Sequence, residues 1–189
     1  MSYIDEIIIR RREEEKQKQY TTLDNGVYID GKMIEFDRRR ICEKFSVMFP
    51  TMWKRMPDEF MKIKYPSEFR PQEILTSPDL SINFGFTVFI QKMQKTTQDI
   101  AEQMQRVIHR AYPDYQMYSG GQLEKNEGTW FAFRSHALDS DLYNMMLVVK
   151  MQDTSIQGVF NCPYSIWPGW KKIVTQIWET METEKGGLG

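Results

Sequence analysis

The sequence predicts an α+β fold, an antiparallel β-sheet flanked by helices, with a charged helix at its N-terminus. Three observations predict it. Residues 130–161 read as strand, polar turn, strand, short turn, strand. Residues 170–181 carry Trp170, Ile173, Val174, Ile177, Trp178 and Met181 at helical spacing, one apolar face. Ile82, Phe84, Phe86 and Val88 alternate with Ser81, Asn83, Gly85 and Thr87, the period-two mark of a strand with one wet face. Strands joined by short hairpins and accompanied by amphipathic helices pack as an antiparallel sheet with helices laid on it.

The first twenty residues form a charged helix. Arg10 and Glu14, Arg11 and Glu15, and Glu14 and Lys18 are each spaced to pair on the helix surface, and Ile4, Ile7 and Ile8 offer a small apolar stripe. Asn25-Gly26 and Asp30-Gly31 are tight-turn dipeptides, and residues 27–29 and 32–36 supply the arms of a hairpin around the second. Arg38-Arg39-Arg40 reads as a charge-protected edge strand or a solvated turn, with an anion-binding patch as the minor alternative. Phe45, Val47 and Phe49 share one strand face, and Met61, Ile63 and Tyr65 alternate with Lys62 and Lys64 as a second strand. Pro66 and Pro71 then force an extended loop.

Thr96 or Thr97 caps a helix, with Asp99 placed to reach back. Its apolar stripe is Ile100, Met104, Val107, Ile108 and Ala111, and Pro113 stops it. Residues 115–118 form a short strand that Gly120-Gly121 bends or ends. Strands at 130–135, 143–151 and 154–161 follow, and the last helix starts between Ser165 and Pro168. Residues 184–189 have no packing signal and are expected to be disordered.

With 189 residues the chain suits one well-buried core. A net charge of -1 argues against general attraction to nucleic acid or anionic lipid, although a local basic patch is compatible with it. Cys42 and Cys162 show no CxxC or zinc spacing and read as reduced thiols of a cytoplasmic protein. The run Ile7-Ile8-Ile9 is too short for a membrane span.

No catalytic, cofactor or metal motif emerges. Ser135, His136, Asp139 and Asp141 are hydrolase residue types, but strand neighbours point to opposite faces, so Ser135 and His136 do not converge within one strand. Asp139 and Asp141 lack the further carboxylates of a calcium loop. His109 reads as a helix-end histidine, and Cys162 as a buried thiol. Trp167-Pro168-Gly169 matches a W-x-G motif in the wrong context, ahead of a terminal helix after a strand, and no Gly-rich phosphate loop is present. Met52, Trp53 and Met56, with Trp167, are large side chains beside Lys54 and Arg55. Exposed members of that set, Trp53, Lys54, Arg55 and Trp167, are the candidate partner-binding residues.

The runs Lys64-Tyr65-Pro66-Ser67-Glu68-Phe69-Arg70-Pro71 and Ser81-Ile82-Asn83-Phe84-Gly85-Phe86 resemble the early strands of bacterial PsbP-like domains. Trp130-Phe131-Ala132-Phe133-Arg134-Ser135, Tyr143-Asn144, Phe160-Asn161-Cys162-Pro163 and the tryptophan-rich last helix resemble their later part. The resemblance spans roughly residues 40–182 and divides the chain into a 1–40 helix-and-hairpin extension, a 41–183 PsbP-like domain and a 184–189 tail. It implies an antiparallel sheet between helical layers, an α/β/α sandwich. Family relatives include a photosystem II extrinsic subunit and a Ran-binding nuclear transport factor, which act by binding. The expected function is a non-enzymatic interaction module, an accessory or adaptor with an unidentified protein partner, without nucleic acid, cofactor or membrane span. The alternatives are a small-molecule or lipid binder using an apolar groove between sheet and helix, and a hydrolase built on Ser135 and His136 or on Cys162.

Overall fold

The computed structural model describes residues 3–29, 31–90, 94–137, 139–152 and 154–183. Helix α1 (Tyr3–Gln19) leads into short strands β1 (Thr21–Thr22), β2 (Gly26–Ile29), β3 (Lys32–Ile34), β4 (Phe36–Ile41) and β5 (Phe45–Pro50). Strand β6 (Lys54–Arg55), helix α2 (Asp58–Lys64) and strands β7 (Glu73–Thr76) and β8 (Asn83–Phe89) follow. Helix α3 (Thr97–Ala111) opens a meander of β9 (Gln116–Gln122), β10 (Glu127–His136), β11 (Asp141–Met151) and β12 (Thr154–Pro163). A 3₁₀ turn (Tyr164–Ile166), helix α4 (Trp167–Glu179) and strand β13 (Glu182–Thr183) close the described chain.

Seven strands pair antiparallel in the order β6-β7-β8-β12-β11-β10-β9. Alternation along each strand sorts the side chains into two layers. Phe131, Phe133 and Met146 meet Ala101 of α3 on one face. Ala132, Met145, Leu147, Phe84 and Phe160 meet Trp170, Ile173, Ile177 and Trp178 of α4 on the other. A second sheet, β13-β5-β4, packs into that same layer through Phe45, Val47 and Phe49. The expected α+β class, an antiparallel sheet flanked by helices, is what the chain adopts, and its main sheet has seven strands.

Local signals hold where they were strongest. Thr96 caps α3: its hydroxyl accepts from the Asp99 amide at 3.1 Å, and its own amide donates to the Asp99 carboxylate at 3.3 Å. All six residues of the closing apolar stripe are buried. Gly31 takes a φ of 78° in the β2–β3 hairpin, a conformation that L side chains rarely adopt. Asp30 and residues 184–189 lie outside the described residues. The Arg10–Glu14 pair forms on α1 at 3.3 Å, and Ile4, Ile7 and Ile8 are exposed.

Three expectations are corrected. The run at Met61, Ile63 and Tyr65 is helical in α2, not a strand; Met61 and Tyr65 pack with Met56 and Ile74, while Ile63 faces water. A seven-residue run fits both periods; Met61 is the buried residue of the helix, and Tyr65 follows as its C-cap, its amide donating to the Met61 carbonyl. In α3 the buried face is Thr97 and Ala101 with Met104 and Ile108, and Val107 is exposed. Of the two expectations for Gly120-Gly121, bending or ending the strand, ending is corrected: both sit inside β9, where the pairing with β10 shifts register between Trp130 and Ala132.

Residue 40 falls within β4, and Leu23, Val27, Ile29 and Phe36 share the main core with residues from later in the chain.

Candidate functional site, an apolar groove beside a charged sheet edge

The turn after β5 builds the site. The Arg39 guanidinium donates to the Thr51 carbonyl at 2.6 Å and to the Trp53 carbonyl at 2.5 Å. These charge-assisted bonds lock residues 51–53 against β4. The locked turn sends neighbouring side chains opposite ways: Met52 is 71% exposed and Trp53 is 4% exposed. The Trp53 ring packs on Phe49 (5.5 Å between centroids), Phe84 (5.7 Å) and Trp170 (5.3 Å).

Above Trp53 and Trp170 opens a groove of about 590 Å³. Its walls come from four separated segments: the β2–β3 hairpin, the turn at 50–53, the loop at 77–82, and the start of α4. Met33, Ile34, Ile82 and Ile166 make the walls apolar, and Lys32, Glu35 and Asp79 stand at its polar rim. The loop is preformed. Asp79 accepts from the Ser77 hydroxyl at 2.5 Å and from the Ser81 amide at 3.1 Å. The Ser77 bond, foremost, holds its carboxyl below the usual aspartate range. Lys64 donates to the carbonyl of Leu80, which itself adopts a φ of 62°. Methionine walls over a rigid aromatic floor suit an apolar ligand of variable shape.

The candidate residues named from the sequence divide. Trp53 is the groove floor, not an exposed contact; the Arg39 bonds to its turn put its ring into the core. Lys54 and Arg55 are exposed side by side on β6, the edge strand of the large sheet, where charge guards unpaired backbone. Trp167 is half-buried away from the groove. It stacks on Tyr143 at 4.7 Å, with the Lys171 ammonium 5.8 Å from its ring centre. Met33, Ile82 and Ile166 are not among the candidate residues; Met33 falls in a predicted hairpin arm and Ile82 in a predicted strand, and no local signal joins either to Trp170.

The hydrolase residues do not assemble. Ser135 is buried and accepts from the Asn144 amide group at 2.9 Å, while His136 is exposed on the other face. Cys162 is buried on β12, where loss of solvent pushes its thiol up to about 12. The half-buried Cys42 thiol rises to about 12, first by burial and then by the nearby Glu73 carboxylate. Such thiols stay protonated and unreactive at neutral pH. Among the described residues no cluster of three or more His, Cys, Asp or Glu is placed to hold a metal ion.

His136 instead joins a surface network. Its Nδ1 lies 2.7 Å from Asp141, whose other oxygen accepts from Arg134 Nε at 2.7 Å. The Asp141 bond holds His136 above its ordinary 6.5, and the His136 and Arg134 bonds hold Asp141 below its ordinary 3.8. The His136 contribution is therefore fully present below 6.5 and lost as pH rises through its folded value. The Asp141 contribution is present above 3.8 and lost as pH falls through its folded value. In Asp141→Asn the His136 imidazole is expected to titrate at lower pH than in the parent protein, followed by NMR. An unchanged midpoint would contradict the pairing.

No family model and no curated protein sequence matches the chain. Solved structures do. The chain is similar to cyanobacterial PsbP (CyanoP) from Synechocystis sp. PCC 6803, with a TM-score of 0.58 at 10% identity over 82% of this chain and 95% of that one. It is similar to the Ran-binding protein Mog1p of Saccharomyces cerevisiae, with a TM-score of 0.55 at 7% identity over 79% and 95% of the two chains. It is also similar to LpqN of Mycobacterium tuberculosis, involved in cell envelope biogenesis, with a TM-score of 0.52 at 11% identity over 87% and 98%. The PsbP-like resemblance thus holds for the fold: the chain has the Mog1p/PsbP-like architecture.

Proposed function

We propose that this chain is a non-enzymatic binding protein, an accessory or adaptor module, that receives an apolar segment of a protein partner in the groove over Trp53 and Trp170. One observation carries the reading: Met52 stands 71% exposed at the mouth of a preformed groove whose tryptophan floor is already packed. A rigid aromatic floor with an adaptable rim is the arrangement that concentrates binding energy at protein interfaces. Lys54 and Arg55, next along the chain and exposed on β6, carry positive charge that steers an acidic partner. Mog1p, of the same fold, is named for binding Ran, a precedent for binding as the class of activity.

The test is comparative capture from native lysate. The parent protein is expected to retain a defined partner, and Met52→Glu is expected to lose it by about tenfold or more, because a carboxylate then enters an apolar contact. Met52 is exposed, so the melting temperature should not move. Capture that is indifferent to Met52→Glu would place the contact elsewhere.

A second reading, a small-molecule or lipid ligand, is favoured by the groove volume of about 590 Å³, within the range of roughly 300–1,000 Å³ for such pockets. A co-purified apolar molecule in native mass spectra, displaced in Met52→Glu, would support it over the protein partner.

A further inference from the structure

The segment between β6 and β7 carries a second surface that the groove does not use. Helix α2 is pinned to the body from below. Met61 is buried against Met56 and Ile74, and the hydroxyl of the adjoining Tyr65 accepts from the Asn161 side chain at 2.8 Å. Lys64 ties the helix end to the Leu80 carbonyl, and Pro71 lies against Gly85 of β8. With these anchors in place, the outward side chains are held out by structure. Those side chains are apolar: Ile63 is 75% exposed and Phe69 is 96% exposed, with Phe60 one helical turn before Ile63 and also exposed. The Gln72 side chain bonds both backbone groups of Val88, next to the exposed Phe89 at the end of β8 and the exposed Ile90 just beyond it.

Basic residues accompany the apolar ones. Ile63 sits between Lys62 and Lys64, Phe69 precedes Arg70, and Lys54 and Arg55 stand exposed on the adjoining strand. Residues 54–70 hold five basic and three acidic side chains, in a chain whose net charge is -1. Among the described residues, Lys62 and Arg70 have no ion-pair partner. A solvent-exposed phenylalanine and isoleucine rimmed by unpaired cations match an interface whose interior is apolar and whose surface is negative.

We propose that Ile63 and Phe69, rimmed by Lys62 and Arg70, form a wedge that docks the protein peripherally on an anionic lipid surface. The apolar side chains enter the headgroup–acyl boundary and the cations meet the lipid phosphates. The attachment is peripheral, since among the described residues no helix is long and apolar enough to cross a membrane. Because Lys64 holds the groove loop, docking at α2 brings the groove close to the lipid surface.

The full chain, incubated with vesicles of phosphatidylcholine or of phosphatidylcholine with phosphatidylserine, is scored by co-sedimentation. The expected result is binding to the phosphatidylserine vesicles that weakens as salt is raised. Ile63→Ser/Phe69→Ser should reduce the bound fraction by about tenfold, with an unchanged circular-dichroism melting curve because both residues lie outside the core. Lys62→Glu/Arg70→Glu should remove the preference for phosphatidylserine. No binding of the parent protein to either vesicle would overturn the proposal, as would equal binding by parent and serine variant. A dimer in sedimentation velocity that the serine variant abolishes, without vesicle binding, would overturn it and assign the patch to a second copy of the chain.

Discussion

Trp53→Ala is expected to lower the free energy of unfolding by about 3–5 kcal/mol. The ring is buried among Phe49, Phe84 and Trp170, so truncation leaves a void lined by aromatic edges that cannot close around it. Urea unfolding with linear extrapolation reads the loss directly, provided the slope is unchanged. Met52→Ala, one residue away and exposed, should cost less than about 0.5 kcal/mol. A Trp53→Ala loss below about 1 kcal/mol would contradict the placement of the ring. The same substitution hollows the groove floor, so any fall in binding mixes stability with contact; Met52 is the cleaner probe of function.

Gly120→Ala is expected to cost about 3 kcal/mol or more, because it requires the backbone to move. A methyl carbon built there falls 1.9 Å from the Trp130 carbonyl oxygen and 2.9 Å from the Phe131 Cα. Neither atom is the far end of a flexible side chain, and both belong to the strand across the register shift. Gly121→Ala is the matched control. The atoms nearest its added carbon are those of the Trp130 ring, at 3.1 Å, and rotation about the side-chain torsions relieves that contact. Expected there is a loss below about 1 kcal/mol. Thermal unfolding of the pair distinguishes a close backbone approach from a general intolerance of side chains in β9. Equal effects would remove the argument.

How much was readable from the chain differs by element. The strand at 82–88 was legible from its alternation, and those at 130–135, 143–151 and 154–161 from apolar runs separated by short polar turns. The α3 cap was legible because Thr96 and Asp99 interact across three residues. Helix α2 was not, since seven residues leave alternation and helical spacing indistinguishable. Of the candidate residues, Lys54 and Arg55 are exposed on β6. Which of the large apolar residues beside them faced outward was not legible. The choice between Met52 and Trp53 depends on Arg39, whose bonds reach 12 and 14 residues along the chain.

The amino-acid sequence by itself determined most of the helices and strands, the α+β class and the apolar face of the closing helix, because these rest on periodicities a few residues long. Only the tertiary structure decided the groove and the wedge. The groove joins Met33, Met52, Ile82 and Trp170, which no local period relates. Ile63 is exposed because Met61 takes the buried face of α2, and Phe69 is exposed in the loop that follows. Burial is a property of the packed whole, and an apolar residue becomes a contact surface only when its neighbours have already filled the space inside.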